Sequence, residues 1–210
     1  MPELKKRPAA QVVFLKGVNV GGHRTFRPSL LTVQLAEYKL ANIGAAGTFV
    51  VFNPPSEARL RAEFLRRLPF TAEIMICSAS QIINLTSGQP FSGEASGPDI
   101  VRFVSVLAKR PSVLPELPLT LPLQKNWLVK LVEVRDRFAF GLYRRSMQTI
   151  SLLNQLEKHL GQAATTRNWN TLNSILEVLR RNDFSSKGSL EKHVLNHSIE
   201  EPGSQMNPNP

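Results

Sequence analysis

The chain has a single cysteine and lacks any apolar run long enough to cross a membrane. Because Cys77 is alone, no intramolecular disulfide can form, which suits a reducing compartment. No stretch approaches the roughly 20 apolar residues that span a bilayer. Lys16 interrupts the apolar residues behind the basic N-terminus, and no small-residue cleavage site follows, which argues against a signal peptide. We therefore expect a soluble, cytoplasmic protein with a buried, inert thiol and no membrane partner.

Acidic residues are also scarce. The chain has 26 Lys and Arg against 16 Asp and Glu, a net charge of +10. The excess lies in residues 1–184, because the segment 185–210 holds two lysines and three glutamates. A basic surface favours nucleic acid or another polyanion as a partner. The basic residues are scattered and rarely form runs, however, so a general solubility charge without a dedicated partner also explains the composition.

Sequence signatures of catalysis and of metal binding are missing. The chain holds no Gly-x-Ser-x-Gly, no His-Glu-x-x-His and no closely spaced carboxylate pair. The four histidines, His23, His159, His193 and His197, show no paired ligand spacing within the folded part. We expect no metal and no cofactor, and the sequence leaves open whether the protein is an enzyme.

An alternation of strand-like and helix-like segments predicts an α+β fold. Strand patterns occur at 12–15, 47–52, 72–77, 100–107, 127–134 and 138–143, and helical patterns at 56–68, 149–160 and 168–181. We predict two ferredoxin-like (split βαβ) halves packed together, at 11–90 and 100–184, the second ending in the terminal helix. Residues 1–10 are predicted to be flexible, 91–99 to form a linker and 185–210 to be a disordered tail.

Three further predictions concern single elements. A helix from about Pro28 is expected to carry Leu31, Leu35 and Leu40 near one side. The helix at 149–160 should end at Gly161 as its C-terminal cap. Its inward residues are predicted to be Ile150, Leu153, Leu156 and Leu160. The segment 111–122 contains four prolines and is predicted to be a connector.

The segment Gly17-Val-Asn-Val-Gly-Gly-His-Arg24 lies between a predicted strand and a predicted helix. Two of its glycines have the spacing of a phosphate-binding P-loop, but the Lys and Ser/Thr that an ATPase needs are absent. A weaker hypothesis remains, in which glycine N–H groups approach an anion at a helix N-terminus. Alternatively, the glycines serve only a tight turn. The candidate ligand-binding residues here are Asn19, Gly21, Gly22 and Arg24.

The segment Ala164-Thr-Thr-Arg-Asn-Trp-Asn-Thr171 is the most unusual in the chain. Asn and Thr at the start of a helix are ordinary N-caps. Arg and Trp beside them can hold a phosphate and stack a ring or base. Alternatively, Trp169 anchors the last helix in the core and Arg167 pairs with a carboxylate. The candidate ligand-binding residues here are Arg167, Asn168, Trp169 and Asn170.

Phe14-Leu-Lys-Gly-Val-Asn-Val-Gly-Gly22, Gly47 to Phe52 and the 164–171 segment, in this order and spacing, resemble a bacterial family, Domain of Unknown Function 1697. The resemblance covers roughly residues 12–180. It implies an α+β fold built from ferredoxin-like pieces and implies no activity.

The chain departs from this family pattern at two places. It has Ala46-Gly47-Thr48 where the family commonly has Ser-Gly-Asn, and Ser146-Met147-Gln148-Thr149 where the family has a lysine-bearing Ser-Lys-Leu-Thr. A site that relatives build from those polar residues would be altered or lost here.

Three functions follow as hypotheses. The first is a binding module for a phosphate-bearing ligand, nucleic acid or nucleotide, and it is the one we favour. The second is an enzyme acting on a small anionic substrate in a cleft between the halves, with Asn19, Arg167 and Asn170 as clamps, although no general base is evident. The third is a structural or interaction protein. A deep cleft favours a small molecule, and a flat basic face favours a polymer.

Overall fold

The first half of the chain forms a four-stranded antiparallel sheet. In the computed structural model, which describes residues 9–18, 26–86, 88–123 and 126–196, the sheet order is β2-β3-β1-β4. The strands are β1 (Gln11–Leu15), β2 (Leu40–Asn42), β3 (Thr48–Val51) and β4 (Ile74–Ser78). The helices are α1 (Pro28–Gln34), α2 (Glu57–Arg67) and α3 (Ala79–Thr86). β1 lies between two strands and is covered on both faces, which explains its run of fully buried apolar residues.

The second half forms a five-stranded antiparallel sheet of order β6-β7-β8-β5-β9. The strands are β5 (Ile100–Leu107), β6 (Leu119–Leu121), β7 (Val129–Arg135), β8 (Phe138–Arg144) and β9 (Ala164–Asn168). The helices are α4 (Thr149–Leu160) and α5 (Trp169–Asn196). Ile100 lies opposite Arg144, and Phe103 lies opposite Asn168. The start of β5, the end of β8 and the start of α5 therefore meet at one end of the sheet.

One apolar core joins the two halves. Phe14 and Met75 contribute to it from the first sheet, and Val104 and Phe140 from the second. α3 and α5 pack in this shared layer, with α5 touching strands of both sheets. The other face of the first sheet packs on α1 and α2, and the other face of the second sheet packs on α4. Phe91, in the predicted linker, is buried in the shared core, so that segment is part of the packed structure.

The α+β class is confirmed, with five α-helices and two antiparallel sheets in the described ranges. Four strands of each sheet follow the same spatial order. Along the chain, β1, β2, β3 and β4 correspond to β5, β7, β8 and β9, so the order β2-β3-β1-β4 matches the order β7-β8-β5-β9. In the second half, the first crossover helix is replaced by the proline-rich segment that contains β6. The ferredoxin-like assignment of each half stays a prediction.

Two short strands differ from the prediction. α1 ends at Gln34 and a 3₁₀ turn at Ala36–Tyr38 follows, so Leu40 begins β2 and does not continue the helix. Lys39 has a left-handed φ of 51°, which a helix cannot contain. β6 lies inside the predicted proline connector, at the edge of its sheet, where a strand tolerates neighbouring prolines. Three-residue strands carry too little alternation to be recognised from sequence.

The two C-terminal helices correct further predictions. α4 has the predicted bounds and the predicted Gly161 cap, whose φ is 61°. Its buried side chains, however, include Leu152 in place of Ile150, which is 58% exposed. α5 continues to Asn196, past the predicted end of structure at residue 184. Residues 197–210 of the predicted tail and 1–8 of the predicted flexible N-terminus lie outside the described residues.

Cys77 is buried as predicted. Its side chain in β4 is 1% exposed. Burial raises the pKa of the thiol to about 11, so the group is protonated at neutral pH and is a poor nucleophile. Among the described helices, none combines the length and the apolar character needed to traverse a bilayer.

Candidate anion-binding cleft

The first candidate segment lies largely outside the described residues. Asn19, Gly21, Gly22 and Arg24 all belong to the range 19–25, so their ligand-binding role stays a prediction. Gly17, which precedes them, has a φ of 67°, a left-handed conformation that favours glycine. That geometry agrees with a tight turn directly after β1.

Arg167 is buried between the two halves and uses all its N–H groups inside the protein. A guanidinium has five N–H hydrogens, and here each has an acceptor at 2.7–2.9 Å. The acceptors are the Oγ1 atoms of Thr48 and Thr165 and the carbonyl oxygens of Leu15, Ala46 and Thr166. Burial lowers the pKa of Arg167 to about 10, so the group remains a cation at neutral pH.

These bonds give Arg167 a structural function. Leu15 ends β1, and Ala46 and Thr48 flank the start of β3, so Arg167 ties β9 to the first half. Within the described residues no carboxylate forms an ion pair with it, contrary to the alternative of a carboxylate partner. A ligand-binding function for Arg167 stays a prediction, and it would require breaking a bond that the guanidinium already makes.

The departure at Ala46-Gly47-Thr48 from the family pattern thus falls on this buried contact. The Oγ1 atom of Thr48 accepts one of the Arg167 bonds, and the carbonyl of Ala46 accepts another. The second departure falls on the surface, where Met147 is 99% exposed.

The asparagines that follow Arg167 organise the start of α5. The Oδ1 atom of Asn168 accepts hydrogen bonds from the backbone N and the Oγ1 of Thr171, both at 2.9 Å. This is an N-cap, as the sequence indicates. The side chains of Asn168 and Asn170 are both exposed beside the helix N-terminus.

Trp169 is half-buried and belongs to an aromatic cluster. Its ring meets Phe91 edge-on at 5.1 Å between centroids and Phe140 at 6.3 Å. The guanidinium of Arg102 lies over the Phe91 ring at 5.5 Å. Trp169 therefore anchors α5 on the core, and its remaining surface faces the cleft described next.

A cleft with a volume of 630 Å³ opens at this end of the second sheet. Its walls are residues 95–97, the start of β5, the residues at the end of β8 and the first turn of α5. Of the four described candidates, Asn168, Trp169 and Asn170 line it and Arg167 does not. The cleft also contains side chains that sequence reasoning missed: Arg102, Tyr143, Arg145 and Asn173.

The cleft is positively charged. Arg102 and Arg145 are exposed, and within the described part of the chain neither has a carboxylate partner. The two acidic residues of the adjoining connector are already neutralised, because Asp99 pairs with Arg144 at 2.8 Å and Glu94 pairs with Lys130 at 2.7 Å. The backbone N–H groups at the N-terminus of α5 add a partial positive charge to this end of the cleft.

Tyr143 provides a protonated hydroxyl in this cleft. Burial raises its pKa above the ordinary value of 10.0, and the positive charge of Arg145 only partly opposes this. The phenol is therefore a neutral hydrogen-bond donor at physiological pH.

Pairing between strands explains why the sequence alone did not predict Arg102 and Arg145 as residues of the cleft. Arg102 does interrupt the apolar strand Ile100-Val-Arg-Phe-Val104, which is a weak signal. Arg145 follows β8 with no local signal, and it is held in place by its backbone N, which donates to the carbonyl of Asp99 at 3.1 Å. The two residues approach each other only because β8 pairs with β5.

Comparison with known proteins supports the fold and no more. The solved structure of the conserved bacterial protein SP0830 from Streptococcus pneumoniae is similar, with a TM-score of 0.52 and 16% sequence identity. The match covers 80% of this chain and 96% of that one. No family model matches the chain, and no curated protein matches it. At this identity the likeness concerns the architecture alone.

Proposed function

We propose that the protein is a binding module for a phosphate-bearing ligand, a nucleotide or nucleic acid, and that the ligand binds in the cleft at the start of α5. The observation that carries the proposal is the pair of arginines, Arg102 and Arg145, which share one cleft without a carboxylate partner among the described residues. Arginine recognises phosphate through charge and through paired N–H donors.

The rest of the cleft suits the other parts of a nucleotide. Asn170 and Asn173 offer both donors and acceptors to a base edge or a ribose. Asn168 offers its side-chain NH₂ group, because its Oδ1 atom already caps α5. The exposed surface of Trp169 offers a face for stacking. A volume of 630 Å³ lies within the roughly 300–1,000 Å³ of small-molecule sites.

The cleft favours binding over acid–base catalysis. Its described lining contains no Asp, Glu, His, Lys or Cys side chain, and its tyrosine is protonated at neutral pH. The alternative of an enzyme acting on a small anionic substrate therefore still lacks a general base. We also propose that both halves are ferredoxin-like and that the chain is a relative of the Domain of Unknown Function 1697 family. The shared strand order of the two sheets and the matching segments support these two proposals.

Replacing either cleft arginine by glutamine should weaken binding about tenfold or more. A charge-assisted hydrogen bond contributes about 1.5–3 kcal/mol, and 1.4 kcal/mol is a factor of ten in affinity. We expect R102Q and R145Q to show this loss in fluorescence anisotropy with labelled single-stranded and duplex DNA and RNA. The dependence of affinity on salt should become shallower by roughly 0.7–0.9 per lost phosphate contact.

The matched control is R110Q, which makes the same charge change beyond the opposite end of β5. Its affinity should stay within about twofold of wild type, because a charge this far from the cleft acts on the ligand only through the screened long-range electrostatic field. Equal losses in all three variants would mean that net charge, and not the cleft, determines binding. Absence of binding by the wild-type protein at low salt would refute the proposal.

A further inference from the structure

A second cavity adjoins the cleft and shares two side chains with it. It has a volume of 340 Å³ and lies between the end of α3, residues 89–92 and the start of α5. Arg102 and Trp169 line both cavities, so the two meet at these side chains. Any ligand group bound at Arg102 is therefore adjacent to both cavities.

The second cavity presents apolar and neutral polar groups. Pro90 and the exposed part of Trp169 supply apolar surface, and Thr86, Gln89 and Ser92 supply hydrogen-bonding groups. Phe91 lies behind this surface, 7% exposed, with the Arg102 guanidinium over its ring. Arg102 is the only charged side chain among its described lining residues. Such a surface suits a base or sugar, which stacks and forms hydrogen bonds, better than a second phosphate.

We propose, resting on the function proposed above, that the ligand is single-stranded nucleic acid that spans both cavities. One nucleoside lies in each cavity and the phosphodiester between them lies at Arg102. A mononucleotide fills only one of the two cavities. A duplex keeps its bases stacked inside and offers neither cavity an unstacked ring.

Calorimetric titration with ligands of increasing length tests this inference. The probes are uridine 5′-monophosphate, the 5′-phosphorylated UU dinucleotide, and a duplex of twelve base pairs with its separated strand. We expect the dinucleotide to bind about tenfold more tightly than the mononucleotide, since an added base stack strengthens binding by about this factor. The separated strand should bind more tightly than the duplex.

Two isosteric variants then assign the subsites. Q89E places a negative charge in the second cavity and should reduce dinucleotide affinity to within about threefold of the mononucleotide, with mononucleotide affinity little changed. N173D places the same charge in the larger cleft and should weaken both ligands. Q34E, at an exposed position of α1, is the control for net charge and should change neither.

The outcomes separate the two proposals. If the mononucleotide binds and the dinucleotide binds no more tightly, the spanning ligand is wrong and the phosphate-binding cleft stands. If Q89E weakens both ligands equally, or if the duplex binds as tightly as its strand, the spanning ligand is also wrong. If no probe binds, both proposals fail.

Discussion

Replacing Arg167 by methionine is expected to lower the free energy of unfolding by about 3–5 kcal/mol. Methionine fills much of the space but removes the guanidinium donors from five oxygen atoms, of which the Leu15 carbonyl still accepts from the Oγ1 of Thr165. Those oxygens lie on both sides of the contact between β9 and the first half. Equilibrium denaturation in guanidinium chloride, followed by circular dichroism, measures the loss.

Two controls separate this structural function from ligand binding. R167K keeps the charge but loses the planar fork, so we expect a smaller loss of about 2 kcal/mol. R102M removes an exposed arginine and should cost about 1 kcal/mol or less, while abolishing the proposed arginine contact with the ligand. A folded R167K protein should bind ligand as wild type does. Stability of R167M equal to that of R102M would contradict the assigned function of Arg167.

Replacing Gly141 by alanine is expected to cost about 2–4 kcal/mol. Gly141 lies in β8 between Leu131 of β7 and Phe103 of β5. An added Cβ would lie 2.4 Å from the carbonyl oxygen of Lys130 and 2.5 Å from Cζ of Phe103. The first neighbour is backbone within the sheet and the second is a fully buried ring, so neither moves without disturbing the core.

The matched control for this substitution is G93A, at a glycine with open space around it. Gly93 has a φ of 76°, so alanine there is strained by about 1 kcal/mol but meets no atom within 4 Å. Thermal and chemical denaturation should therefore show a clearly larger loss for G141A. A loss for G141A that is no greater than that for G93A would show that the sheet relaxes around the methyl group.

Elements with a long periodic pattern are the ones that the sequence predicts well. β5 and α4 have the predicted bounds because eight and twelve residues carry a clear alternation or helical repeat. Which face of α4 is buried is harder to predict, since Leu152 and Ile150 are both apolar and only the packing against β7 decides which one is buried. β2 and β6, at three residues each, exist through pairing with a neighbour and carry no pattern of their own.

Some residues of the candidate cleft could likewise be predicted from the sequence and others could not. Asn168, Trp169 and Asn170 are predictable because cap and aromatic residues stand together in one short segment. Arg102 and Arg145 are distant in the chain, and only the register of β5 with β8 brings them to the same place. The contacts of Arg167 could not be predicted, since a local motif does not reveal that a long side chain finds three of its five acceptors in the other half, on Leu15, Ala46 and Thr48.

The fluorescence of Trp169 tests the central claim most directly, because this ring lines both cavities. The chain has two tryptophans, so W127F leaves Trp169 as the single indole fluorophore. Titration of this variant with single-stranded oligonucleotide should change the Trp169 emission with the midpoint seen by anisotropy. Adding R102Q should shift both midpoints together by about tenfold. Binding by anisotropy without any change in Trp169 emission, and with no effect of R102Q, would place the ligand elsewhere and contradict the account.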